Sequence, residues 1–237
     1  MSRFAGGKEG GRTRLIMSLI VKICGLKTAE ALDVALESGA DMVGFVFFAP
    51  SPRDLAPEAA RQLGERVKGR AGRVALTVDA DDKTFDAIVG ALKPDLLQLH
   101  GSETPERLTA LRARFGLPIM KALPIAKRPD LARIELYKKI ADRLLFDARA
   151  PQDATRPGGL GMPFDWILLK DVDPGIPFML SGGLEAGNVA EALRITRAGG
   201  VDVSSGVERV PGEKDPDKIR AFIRAARAAE AALAVNV

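Results

Sequence analysis

Phe178-Met179-Leu180-Ser181-Gly182-Gly183 and Gly200-Val201-Asp202-Val203-Ser204-Ser205-Gly206 follow one plan: a short apolar, β-prone run that stops at small residues. Such a run reads as a buried parallel strand that hands its last side chains to a turn. The same unit recurs upstream, with runs beginning near Leu19 (LIVKIC), Asp41 (DMVGFVFF), Arg73 (RVALTVD), Asp95 (DLLQLH), Pro118 (PIMKAL) and Arg143 (RLLFDA). Between them lie amphipathic helical patterns opening at Thr28, Pro57, Thr84, Thr104, Leu131, Phe164 and Asn188, with a last one from Asp217 to Leu233. Capping signals support several of these starts, among them Thr28 with Glu30 close behind and Thr104 followed by Pro105. Eight strands alternating with eight helices at about 25 residues per unit predict an α/β protein, a single (β/α)8 TIM barrel. A doubly wound sheet would need fewer strands and a glycine fingerprint after the first, which Cys24-Gly25-Leu26-Lys27 does not supply.

The chain of 237 residues has 46% hydrophobic residues, enough for the core of such a barrel. Residues 18–237 read as one catalytic domain, and 1–17, rich in Gly, Arg and Lys, as a short disordered N-terminal arm. Lys and Arg number 35 against 31 Asp and Glu, and outside the arm the balance is near neutral. With one Trp, one Tyr and no aromatic residues interleaved with basic ones, nucleic acid is not an expected partner. No apolar stretch reaches the roughly 18–20 residues of a membrane span, so no membrane partner is expected. A lone cysteine builds no intrachain disulfide framework and fits a cytoplasmic address. Nothing in the sequence decides between monomer and homodimer.

In a barrel the chemistry sits on the loops after the strands, and phosphate commonly binds after strands seven and eight. Strand ends therefore name the candidates: Lys22 and Cys24; Ser51-Pro52-Arg53; Asp79; Gln98 and His100; Lys121; Asp147 and Arg149; Ser181-Gly182-Gly183; and Asp202 with Ser204-Ser205-Gly206. Gly182, Gly183, Ser205 and Gly206 let two backbones close around a phosphate, and a short helix start near Val207 would add its positive end. The alternative for each pair is a plain tight turn. Cys24 ends an alternating strand, which favours the open rim over an inert place in the core. No CxxC or Cys/His cluster accompanies it, so no metal is expected; a Cys–His nucleophile with His100 lacks any hydrolase signature. Asp147 finishes an apolar strand with a carboxylate, which faces either a ligand or solvent. The long connection from Ala148 to Asp165 reads as a lid. Arg53, on a proline-stiffened loop, suits a carboxylate and could equally be a surface charge, while His100 could serve only to brace its loop.

These segments resemble the phosphoribosylanthranilate isomerases. The likeness rests on Lys22-Ile23-Cys24-Gly25, Gly44-Phe45-Val46-Phe47-Phe48 with Ser51-Pro52-Arg53, Leu97-Gln98-Leu99-His100-Gly101, Lys121-Ala122, Leu145-Phe146-Asp147 and Pro157-Gly158-Gly159 with Phe164-Asp165-Trp166. It continues through Leu180-Ser181-Gly182-Gly183-Leu184 with Asn188-Val189, and Asp202 to Glu208 with Pro211-Gly212 and Lys214-Asp215. The resemblance implies an Amadori rearrangement of a small phosphosugar with no cofactor. It makes Cys24 the general base and Asp147 the general acid, sets Arg53 near the anthranilate carboxylate, and gives His100 and Asp202 polar roles in the pocket. A histidine-pathway isomerase on the same scaffold would carry aspartate in place of Cys24, and a non-catalytic phosphosugar-binding barrel would not pair the thiol with a facing carboxylate. Free thiols ionise near pH 8.5 and free aspartates near 3.9, so these roles ask for a lowered thiol and a raised carboxyl.

Overall fold

A computed structural model describes residues 18–150, 154, 157–159, 161 and 164–235. The N-terminal arm and part of the expected lid (151–153, 155, 156, 160, 162 and 163) lie outside these described residues. Strands β1 (Ile20–Cys24), β2 (Met42–Phe47), β3 (Gly72–Thr77), β4 (Leu96–Leu99), β5 (Ile119–Ile125), β6 (Arg143–Ala148), β7 (Phe178–Leu180) and β8 (Gly200–Val203) pair in parallel and close into a barrel. Each begins within two residues of its expected start. The seam between β1 and β8 pairs Ile20 with Gly200 and Lys22 with Asp202. The doubly wound alternative is thereby excluded.

Alternation along each strand explains the layers. On β1, Val21 and Ile23 point outward into the shell between strands and helices, while Cys24 points inward beside Val46 and Leu76. Below that inner layer, Val74, Leu96, Met120, Ala122, Leu145 and Met179 fill the barrel. The interior is therefore packed at its floor and becomes polar only towards the C-terminal ends of the strands.

Helices α1 (Ala29–Glu37), α2 (Pro57–Val67), α3 (Asp82–Leu92), α4 (Pro105–Phe115), α6 (Val189–Thr196) and α7 (Pro216–Val235) form where the apolar periodicity placed them. Thr28 and Thr104 cap α1 and α4 by accepting from Ala31 N and Arg107 N. Helix α3 starts earlier than Thr84, because Asp81 accepts from Thr84 N and so takes the cap position. The helix expected from Leu131 to Ile140 is instead a 3-10 segment, Arg128–Arg133, leading into the single turn α5 (Ile134–Tyr137). Its start is pulled upstream by Pro129 in the first turn and by Asp130, whose carboxylate accepts from Ala126 N and Lys127 N. After β6 a 3-10 turn, Trp166–Leu169, stands in for a helix.

Past β8 the chain makes a 3-10 turn at Ser205–Val207, where a helix start was expected, and then an antiparallel hairpin of β9 (Glu208–Val210) and β10 (Glu213–Lys214). Pro211-Gly212 supplies the turn, with Gly212 at φ 89°. This hairpin folds Lys214 back beneath Ser204. Among the described residues no helix is long and apolar enough to cross a membrane.

Phe222 on α7 is fully buried in the outer shell. We expect Phe222→Ala to cost about 3–5 kcal/mol, the usual range for emptying an aromatic core site. Urea unfolding measures this; a loss under about 1 kcal/mol would mean that α7 contributes little to the shell.

Candidate active site

One pocket opens at the C-terminal mouth of the barrel, lined by Cys24, Arg53, His100, Asp147, Gly182, Gly183, Asp202 and Ser205 among others. Eight of the nine site residues read from sequence therefore line one pocket. Gly206 is the exception: a Cβ there would collide with the carbonyl oxygen of Leu184. Its glycine lets the loop after β8 press against the loop after β7, behind the pocket surface.

Cys24 lies deeper than an open-rim position, at 3% exposure. Room for its sulfur comes from Gly44 on the neighbouring strand, where a Cβ would stand 2.8 Å from Sγ. Lys22, two residues earlier, is wholly buried and donates to Asp202 Oδ1 at 2.9 Å. Burial alone would lower the Lys22 pKa, but Asp202 and then Cys24 hold it above the usual lysine value, so Lys22 is a fixed cation. Burial pushes the Cys24 thiol up, and the attraction of Lys22 does not offset it because Asp202 opposes that attraction. The expectation of a lowered thiol is thus corrected: removal from water, with Asp202 adding to it, outweighs the cations Lys22 and Lys214.

Arg53 is held along one edge of its guanidinium. Nε donates to Glu208 Oε1 at 2.8 Å, and Nη2 donates to Glu208 Oε2 at 2.7 Å and to the Gly159 carbonyl at 3.1 Å. Its side chain crosses Gly25, where a Cβ would sit 2.6 Å from Cδ. Glu208 also accepts from Lys214 Nζ at 2.8 Å, and Lys214 donates to the Ser204 carbonyl at 2.9 Å. Burial brings Lys214 down to about 8, against the pull of a Glu208 charge already shared with Arg53. Ser204 Oγ donates to the Cys24 carbonyl at 3.1 Å, so the loop after β8 is stitched to β1.

Across the pocket, His100 Nε2 lies 3.0 Å from Asp147 Oδ2 and His100 Nδ1 lies 3.0 Å from Gln98 Nε2. Asp147 Oδ1 accepts from Ala148 N at 2.9 Å. Two glycines make these contacts possible. A Cβ on Gly158 would lie 2.5 Å from Asp147 Oδ2, and one on Gly182 would lie 2.6 Å from Ala148 N. The loop after β7 is further fixed by Asn188, which donates to the Gly183 carbonyl and accepts from Glu185 N. Gly182 and Gly183 both take positive φ, 87° and 65°, which only glycine adopts without strain.

Two further groups read as rim residues belong elsewhere. Lys121 is buried, donating to Glu103 and to the carbonyls of Leu99 and Gly101, where it braces the loop that carries His100. Gln98 is buried below the mouth, whereas Asp79 stays at the rim, accepting from Ser102 N and lining a second cavity with His100. Conversely, Glu208, Lys214 and Gly44 carry more of the site than their sequence positions suggested. Among the described residues no group of three or more His, Cys, Asp or Glu side chains is arranged to hold a metal ion.

Comparison with known proteins agrees with this layout. The family model described as N-(5'-phosphoribosyl)anthranilate isomerase matches residues 21–225. The chain belongs to the phosphoribosylanthranilate isomerase family. Within it, the N-(5'-phosphoribosyl)anthranilate isomerase of Bradyrhizobium diazoefficiens is 66% identical over 214 residues, covering 90% of this chain and 96% of that protein. The crystal structure of the Thermotoga maritima enzyme superposes with a TM-score of 0.80 at 34% identity, covering 89% of this chain and 99% of that one. A family structure in complex with reduced 1-(o-carboxyphenylamino)-1-deoxyribulose 5-phosphate superposes with a TM-score of 0.77 at 33% identity, with the same coverage. The Thermotoga maritima protein is dimeric and has also been solved as monomers. This chain has the family's activity, phosphoribosylanthranilate isomerisation in tryptophan biosynthesis.

Because Asp202 raises the thiol and burial does so more strongly, Asp202→Asn should shift Cys24 ionisation to lower pH. The chain has one cysteine, so its thiolate absorbance can be titrated without ambiguity. A shift upward, or none, would show that Asp202 acts on Cys24 mainly by restraining Lys22.

Proposed function

We propose that Cys24 is the general base and Asp147 the general acid of this isomerisation. The observation that carries the reading is that a free thiol and a buried carboxylate line one pocket whose third wall is the glycine loop after β7. Asp147 gives a proton to the furanose ring oxygen as the C1–O bond breaks, and the anthranilate nitrogen lone pair forms the C1=N bond. The Cys24 thiolate then takes the C2 proton. The C–H electrons become the C1=C2 bond of an enolamine, and the C=N electrons return to nitrogen. Moving a proton from the C2 hydroxyl to C1 gives the ketone, 1-(2-carboxyphenylamino)-1-deoxyribulose 5-phosphate. Only protons move, so the sequence calls on no redox group or metal.

Substrate position follows from charge. Arg53 Nη1, the end of the fork not taken by Glu208, serves the anthranilate carboxylate. The phosphate takes the backbone N–H groups around Gly182, Gly183, Ser205 and Gly206, where the loops after β7 and β8 meet. His100 and Asp202 line the sugar between them. The substrate is thus a small phosphosugar, with neither nucleic acid nor membrane involved. Residues 18–237 act as one catalytic domain, in the cytoplasm, where a lone thiol stays reduced. The working unit is a monomer or a homodimer, which sedimentation equilibrium decides.

Cys24→Ala and Asp147→Asn should each lower kcat by about 10²–10⁴-fold or more, followed by the decay of phosphoribosylanthranilate fluorescence. Each should still bind the reduced product analogue. If Cys24→Ala keeps full turnover, the base lies elsewhere; if Asp147→Asn loses affinity as much as rate, Asp147 is a binding group. With the thiol raised, kcat/KM should climb with pH above neutrality as thiolate forms, and a profile flat from neutral to alkaline pH would remove Cys24 from the role.

A further inference from the structure

Gln98 is fully buried on β4, and its amide has one end on His100 Nδ1 while the other, Oε1, has no hydrogen-bond partner among the described residues. Buried side-chain oxygens are normally satisfied, so an amide placed only for packing is a poor explanation. Resting on the acid assignment above, we propose that Gln98 is a positioning residue that sets which nitrogen of His100 carries the proton, and through it whether Asp147 holds the proton it delivers.

The argument is one of donors and acceptors. As placed, Gln98 Nε2 can only donate, so His100 Nδ1 accepts and the ring proton sits on Nε2. Nε2–H then donates to Asp147 Oδ2, which receives it as a carboxylate. This pair carries one proton and cannot act as an acid. The acid form carries one proton more, taken from solvent: Asp147 Oδ2–H donates to Nε2, and Nδ1 bears the ring proton. Nδ1–H needs an acceptor, and Gln98 supplies it by turning its amide about the soft terminal torsion, which brings the unpartnered Oε1 onto Nδ1. Uptake of the proton and rotation of the amide are one event. When Asp147 gives its proton to the ring oxygen, the pair returns to its one-proton state and the amide turns back. An amide can answer both forms, because it presents a donor at one end and an acceptor at the other.

The surroundings leave this control to Gln98. Asp79 and Arg133 line the cavity on one side of His100, and Cys24, Arg53, Arg149 and Asp202 the pocket on the other. Lys121 lies beneath, bound to Glu103 and backbone carbonyls. Among the described residues, Gln98 and Asp147 are the side chains that hydrogen-bond the imidazole.

His100 is the only histidine, so its ring nitrogens are identified in a 15N spectrum without further assignment. In the native protein at neutral pH we expect the proton on Nε2. Gln98→Glu, which offers Nδ1 only an acceptor, should move it to Nδ1 and shift the acid side of the kcat profile. Gln98→Met, with neither donor nor acceptor, should lower kcat at least about tenfold with KM little changed. An unchanged ring spectrum in Gln98→Glu, or an unchanged kcat and pH profile in Gln98→Met, overturns the proposal. Should Gln98→Met fail to fold, the spectrum of Gln98→Glu decides alone. Failure of the acid assignment looks different: Asp147→Asn would stay active while the Gln98-dependent exchange of tautomers persisted.

Discussion

The ion pair of Lys22 with Asp202 lies across the seam where the first strand meets the last. The two residues are register partners in β1 and β8, both are buried, and their charged atoms are 2.9 Å apart. A buried pair of this kind is weak evidence for net stability against an apolar replacement, yet removing one partner strands a charge and typically costs about 3–5 kcal/mol. Its consequence is specificity of register. A one-residue slip of β8 against β1 would turn Asp202 into the apolar shell and leave Lys22 alone inside. The same pair then bounds the site, because Cys24 follows Lys22 by two residues and so faces the same interior.

A second charged group extends the first. Arg53 and Lys214 converge on Glu208, and Lys214 also holds Ser204, whose hydroxyl reaches the Cys24 carbonyl. Three cations, Lys22, Arg53 and Lys214, therefore face two carboxylates, Asp202 and Glu208, on one side of the pocket. The surplus positive charge is kept out of water, where it acts strongly on any anion placed beside it. Both a substrate carboxylate and a Cys24 thiolate would relieve it. The loops after β6 and β8 are thereby tied to the loop after β2, and the loop after β8 also to β1, by polar contacts, while the apolar floor supplies the rigidity beneath.

The barrel was legible because every strand is short, apolar and ends in a recognisable turn, so period and punctuation agreed. What escaped was local competition. Asp81 took the cap position of α3, Asp130 in the first turn of its segment fixed the start by accepting from Ala126 N and Lys127 N, and α5 shrank to one turn. The hairpin of β9 and β10 was hidden because its strands are only three and two residues long, although Pro211-Gly212 marks its turn. Strand ends located Cys24, Arg53, His100, Asp147 and Asp202, since chemistry at a barrel mouth comes from those ends. They could not tell rim from interior for Lys22, Gln98 and Lys121, which depends on how far each strand runs past the packed floor. Nor could they reveal Gly44 or Gly158 as spacers, because the atoms they make room for come from other strands.

The direction of the Cys24 shift has a kinetic consequence that sequence reading reversed. A buried thiol with a raised pKa is scarce as thiolate at neutral pH, but the thiolate that forms is a stronger base. Each unit by which the pKa exceeds the working pH cuts the thiolate fraction tenfold, while the gain in basicity returns only part of that. With Cys24 as the proposed base, the site would trade abundance of the base for its strength. The trade is tolerable because the charge that would stabilise the thiolate, Lys22, is already fixed and dehydrated beside it, so ionisation needs no reorganisation of the protein. Asp202 works in both directions, holding Lys22 charged while opposing the thiolate, and so adds to a rise in the Cys24 thiol that burial mainly causes.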